Sequence, residues 1–169
     1  MSKFSALFIA TLGLYSFYWF YKHWQLLGRS QDRNLLPILR AIFPLFFISS
    51  LCNELAKAER QKDQHYRWNP QALAVSFIVL QVIAFVLYFL AYNQKIAPGW
   101  HALQFLIFFG YYYLLYKFQL VANRVCDDPF GSQNSTYSFT NHAWIVFGII
   151  HWLDQLRTLY LLITGQISL

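Results

Sequence analysis

Charge is scarce in this chain of 169 residues: Asp, Glu, Lys and Arg make up 12% of it, against about 25% in soluble domains. So few charges cannot cover a water-soluble domain of this size, and lipid is the expected solvent for much of the surface. Cysteine is nearly absent. Cys52 and Cys126 are the two present, and their separation fits neither a disulfide framework nor a thiolate metal site. Also missing are a serine in a nucleophile elbow, a His and Glu pair at metalloprotease spacing, a glycine-rich phosphate loop and a haem-attachment motif. His23, His65, His101, His142 and His151 are scattered, and the last two, on one helix, would project roughly a right angle apart at ~100° per residue. No catalytic residue, metal or cofactor is assigned, and the balance lies against an enzyme.

What the chain has in abundance is apolar surface, 57% hydrophobic residues and 21% aromatic ones. The net charge is +6, but the basic residues gather in short segments between long apolar runs. That arrangement reads as a set of topology signals rather than a nucleic-acid stripe, and no nucleic-acid partner is expected. The first run begins like a signal peptide after Lys3. No small-residue cleavage site follows and the run continues into bulky aromatics, so the segment is expected to remain.

Residues 4–21 carry no charge and, at about 18 residues, reach the lower limit for a spanning helix. Residues 71–92 and 100–116, the latter extendable to 121 past Lys117, are two further spans. Residues 35–55 contain Pro37, Arg40 and Pro44, and their uninterrupted apolar core, 41–52, suits an interfacial or re-entrant helix better than a span. Residues 142–163 are long enough to cross but include His151, Asp154 and Arg157. The expected fold is an all-α integral membrane protein, a single helical domain over 1–169 with four transmembrane helices plus one interfacial or re-entrant helix. Five spanning helices are the alternative.

Charge orients these elements. Lys22, Arg29 and Arg33 follow the first run, and Lys57, Arg60, Lys62 and Arg67 precede the run at 71–92. If residues 35–55 dip in and return, both clusters share the cytoplasmic face, as the positive-inside rule requires. The N-terminus is then expected outside. The stretch YSFYWFYKHW, residues 15–24, becomes a helix end at the cytoplasmic interface, where Trp and Tyr rings favour headgroup depth and Lys22 snorkels beyond them. That belt accounts for Trp19, Tyr21 and Trp24. Tyr15 and Tyr18 lie deeper and are candidate helix-packing contacts with a partner. The loop 126–140 has the Pro, Gly, Ser and Asn content of a surface segment; its Asn134, Ser135 and Thr136 fit a glycosylation pattern that a cytoplasmic placement makes coincidental.

An internal duplication of 4–56 and 100–164 is a further expectation. Tyr21, Lys22 and Arg29 match Tyr116, Lys117 and Arg124 at constant offset, and FFISSLCNEL resembles FGIIHWLDQL. Repeat interfaces are frequent places for ligand sites in membrane proteins.

His151, Asp154 and Arg157 recur at three-residue spacing and so share one helix face. They form the candidate polar intramembrane site, able to relay a proton or hold an anion, with mutual neutralisation of Asp154 and Arg157 as the plainer reading. Arg40 is a candidate lipid-phosphate contact. Glu54 lies too far along the same segment to meet it, roughly 21 Å at ~1.5 Å per residue.

The segment GLYSFYWFYKHW, residues 13–24, resembles the opening of a group of small bacterial multi-pass membrane proteins of unknown function, whose aromatic-rich first helix ends in a Gly, Tyr, Trp and Lys pattern. Asn141, Gly148, Trp152 and Gly165 are similar to later features of that group. The resemblance implies a multi-pass protein of the bacterial cytoplasmic (inner) membrane and transfers no catalytic residue. The expected function is an accessory or scaffolding component of a membrane complex, in contact with membrane lipid and with a membrane protein partner or a second copy. A small transporter or channel using the polar face of the last helix, and a lipid-handling enzyme or lipid binder, are the alternatives.

Overall fold

The computed structural model describes residues 2–62, 68–93 and 100–166, and among them every regular element is helical. The order is α1 Ser2–Ala10, α2 Tyr15–Ser30, α3 Pro37–Ile42, α4 Pro44–Gln61, α5 Pro70–Tyr92, α6 Trp100–Val125 and α7 Phe139–Ile163, with a 3-10 turn at Ser132–Asn134 before α7.

The antiparallel pair α5–α6 is the frame. Asn69 starts α5 by accepting the Ala72 backbone N–H at 2.9 Å, with Pro70 in the first turn, where its missing N–H costs nothing. Two described helical stretches are long and apolar enough to cross a membrane, Pro70–Tyr92 and Leu103–Val125, and only 17% and 22% of their most apolar windows are buried within the chain. A core helix of a soluble protein would be mostly buried. Val75, Val79, Val82, Phe85 and Phe89 of α5 are instead exposed.

The run at 4–21 is not one helix. α1 stops at Ala10, and residues 11–14 form a turn in which Leu12 and Gly13 have φ of 50° and 84°. Fully buried Thr11 ties the two ends, its hydroxyl donating to the Leu7 carbonyl at 2.8 Å and accepting the Tyr15 N–H at 2.9 Å. This supplies groups that helix ends otherwise leave unpaired. The chain then doubles back along α6. Going out, Ser5 meets Tyr112 at 2.7 Å and the Phe8 ring lies 5.4 Å from Phe108; returning, the Trp19 indole donates to Gln119 at 2.5 Å. The turn sits level with Phe108, about 12 Å short of the Trp100 end of α6. The N-terminal segment consequently returns to the end of the bundle that carries Arg29, where Lys3 donates to the Thr136 carbonyl at 2.8 Å. The expected placement of the N-terminus opposite Lys22 is corrected by this hairpin.

Residues 35–55 also fold as a broken pair. Pro37 and Pro44 each open a helix, and Phe43 lies between them. Leu35 packs at Gly28, so α3 returns along α2; α4 then runs beside α2, with Phe47 near Trp24 and Glu54 accepting from Gln31 at 2.7 Å. An ion pair between Lys62 and Asp127 joins the end of α4 to the end of α6.

The core lies in the half of the bundle away from Tyr92 and is largely aromatic: Phe4, Phe8, Trp19, Phe20, Trp24, Phe77 and Phe118 are buried together. Edge-to-face pairs set its geometry. Trp19 meets Phe20 at 5.0 Å and Phe118 at 5.1 Å, and Phe20 meets Phe77 at 5.8 Å. Each such pair contributes about 0.5–1.5 kcal/mol beyond area burial, which matters where lipid removes the hydrophobic drive between helices.

Helix α7 is continuous and packs principally on α1. Gly148 lets it approach the turn at Ala10, and the Trp152 indole donates to the Ile9 carbonyl at 2.8 Å. Helix α6 runs unbroken through Gly110 and α7 is continuous, while α1–α2 and α3–α4 are each broken.

Candidate functional site

Three regions combine polar groups with open or unsatisfied space. The first is a hydrogen-bonded chain inside the core. Trp19 donates to Gln119, and the Gln119 amide donates to Asn123 at 2.6 Å. His23 lies against Trp19 at 3.9 Å and donates from Nδ1 to the Trp19 carbonyl at 2.9 Å. Burial pushes the His23 imidazole down to about 4, opposed by that carbonyl bond, so the ring is neutral at pH 7. Buried Glu59 accepts from the Trp68 indole at 2.5 Å. These bonds tie α2 to α6 and α4 to the residues just before α5.

The second is a cleft of about 350 Å³ between α5 and α6, lined by Leu80, Gln81, Tyr88, Gln104, Phe108 and Tyr111 among others. Gln81 stands midway along α5, and its side chain and Ser16 both hydrogen-bond the Tyr111 hydroxyl. The cleft is mainly apolar, with its central polar groups already engaged.

The third surrounds Arg40. Its guanidinium carbon lies 4.3 Å from the centre of the Trp24 ring and 5.0 Å from that of Phe47. Trp24 is buried and its indole N–H has no acceptor among the described residues. Glu54, farther along α4, is bound by Lys57 and Gln31, both at 2.7 Å, and these bonds hold its carboxyl below the usual carboxylate range.

The other sequence-predicted residues are placed as follows. His151 is half-buried on α7, while Asp154 and Arg157 are exposed and make no ion pair with each other. Tyr15 is buried inside the chain against Phe4 and Tyr18. Tyr18 is exposed, with Lys22 over its ring at 5.7 Å. Cys52 is buried and Cys126 exposed, both as free thiols, and among the described residues no group of His, Cys, Asp and Glu is placed to hold a metal. Sequence reasoning overlooked Thr11, Gln81 and the cage around Arg40. Of these only Gln81, a polar residue centred in a charge-free apolar run, had a local signal.

Comparison of the chain with family models, with curated proteins and with solved structures finds no match.

Proposed function

We propose that this protein is a multi-pass component of the bacterial cytoplasmic membrane that works without catalysis, as an accessory or scaffolding subunit whose last helix docks on another membrane-embedded protein surface. In this reading α5, α6 and α7 cross the bilayer, while α1–α2 and α3–α4 are re-entrant hairpins entering from the cytoplasmic face. Lys3, Arg29, Lys57, Arg60 and Arg124 lie in the end segments of α1, α2, α4 and α6, and Arg33 and Lys62 just beyond α2 and α4, on ends that converge on that face, in keeping with the positive-inside rule.

The carrying observation is the polar trio on α7. Asp154 lies fifteen residues beyond Phe139, about 22 Å along the helix, and a bilayer core is about 30 Å thick. With Phe139 at the cytoplasmic boundary, Asp154 and Arg157 fall within hydrocarbon depth, exposed and unpaired with each other. Ionisable groups at that depth require protein, water or a counter-charge. Exposed Ile150, Leu153, Leu156 and Tyr160 supply the apolar contact surface beside them.

Photo-crosslinking groups placed at Leu153 and Leu156 should capture protein, whereas the same groups at Val82 and Phe85 of α5 should capture lipid. Lipid adducts alone at all four positions would sink this reading.

A further inference from the structure

The α3–α4 hairpin presents a charge that no carboxylate among the described residues neutralises. With aromatic rings against it, the Arg40 guanidinium retains in-plane N–H donors suited to a bidentate oxyanion. Among the described residues no carboxylate or other acceptor takes them. Glu54, the acid on the same hairpin, is already bound to Lys57 and Gln31. Trp24 beneath Arg40 is 1% exposed, and its unpartnered indole N–H is the one buried side-chain polar atom without a hydrogen bond among the described residues. Arg29 and Arg33, both exposed, add positive charge in the preceding turn.

The surroundings of this cation are apolar and open. Ile38 and Leu39 flank it at 66% and 46% exposure, and Ile42, Phe43 and Phe46 at the bend are 55%, 47% and 74% exposed. A soluble anion would satisfy the guanidinium and leave this collar in water. An amphiphile satisfies both.

We propose that Arg40 and the α3–α4 bend form a headgroup site for an anionic phospholipid. Its phosphate oxygens take the guanidinium donors, and Ile42, Phe43 and Phe46 lie among the acyl chains just below. Trp24 and Phe47 hold the guanidinium in register for the phosphate, which is why lysine is a poor substitute. The site is independent of any partner for α7.

The test places the full chain in nanodiscs containing equal phosphatidylglycerol and phosphatidylcholine and counts lipids retained after gentle release by native mass spectrometry. The expected result is preferential retention of phosphatidylglycerol, reduced roughly tenfold or more by Arg40→Gln, the weight of one charge-assisted bonded pair. Arg40→Lys should fall between the two. A Phe43→Ser, Phe46→Ser variant, altered only at exposed positions, should also lose retention with unchanged helical circular dichroism, and it keeps the test decisive should Arg40→Gln lose helicity. Inorganic phosphate should not displace the lipid. Equal retention of both lipids, full retention by Arg40→Gln, or displacement of the lipid by inorganic phosphate would overturn the proposal.

Discussion

A β-carbon on Gly148 would lie 1.8 Å from the carbonyl oxygen of Ala10, 2.5 Å from its carbonyl carbon and 2.9 Å from the Thr11 α-carbon. All three are backbone atoms and cannot swing aside. Gly148→Ala should therefore push α7 away from the α1–α2 turn and break the Trp152 bond to Ile9, at a cost of about 1–3 kcal/mol or more. Gly110→Ala provides the contrast, because its β-carbon meets only the end of the Leu80 side chain at 3.2 Å. Thermal unfolding in one detergent should show a large fall for the first variant and little change for the second.

Thr11→Val keeps the shape of the side chain and removes its hydroxyl. The Leu7 carbonyl loses a donor and the Tyr15 N–H loses its acceptor in a fully buried place, so the variant should be less stable by about 1–3 kcal/mol. Thr11→Ser retains both bonds and should recover most of that loss in the same unfolding measurement.

The long helices were legible because their cause is local. Pro70 and Asn69 announce the start of α5, an uncharged run sets its length, and Pro37 with Pro44 marks the broken hairpin at 35–55, whereas α6 continues past its uncharged run through Lys117 and Arg124 to Val125. The turn at 11–14 was not legible in that way. Hydropathy cannot distinguish a spanning run from two shorter apolar helices, and Gly13 alone is tolerated inside a helix; what makes the turn is Thr11 bonding to both sides and the Phe8 and Phe108 rings closing over it. Arg40 stood out in sequence as a charge in an apolar segment. Its cage did not, since Trp24 and Phe47 come from two other helices. The trio on α7 was readable as one helix stripe, but the lack of an Asp154–Arg157 ion pair depends on side-chain placement.

His23 carries the clearest pH signature. Its ordinary value is 6.5 and burial takes it to about 4, so between these values the unfolded chain binds a proton that the folded chain refuses. Its contribution is full above about pH 6.5, declines as pH falls, and levels off below about pH 4, for at most ~3 kcal/mol. Glu54, shifted downward, acts lower: its contribution is present above its ordinary 4.5 and is lost as pH falls through its lowered value. Stability profiles of the wild type and His23→Phe should diverge between pH 6.5 and 4, with the flatter curve belonging to the variant. Parallel curves across that window would contradict a buried neutral imidazole.

The central claim is that α7 engages another membrane protein through the face bearing Asp154 and Arg157. Extraction into native nanodiscs, followed by mass spectrometry of everything that leaves the membrane with the tagged chain, tests it most directly. The account predicts a partner in fixed stoichiometry, a second copy or another membrane protein, that is lost from the Asp154→Leu, Arg157→Leu variant while the variant's own helicity and yield are preserved. A wild-type chain that emerges alone as a stable monomer, accompanied by lipid only, would contradict it.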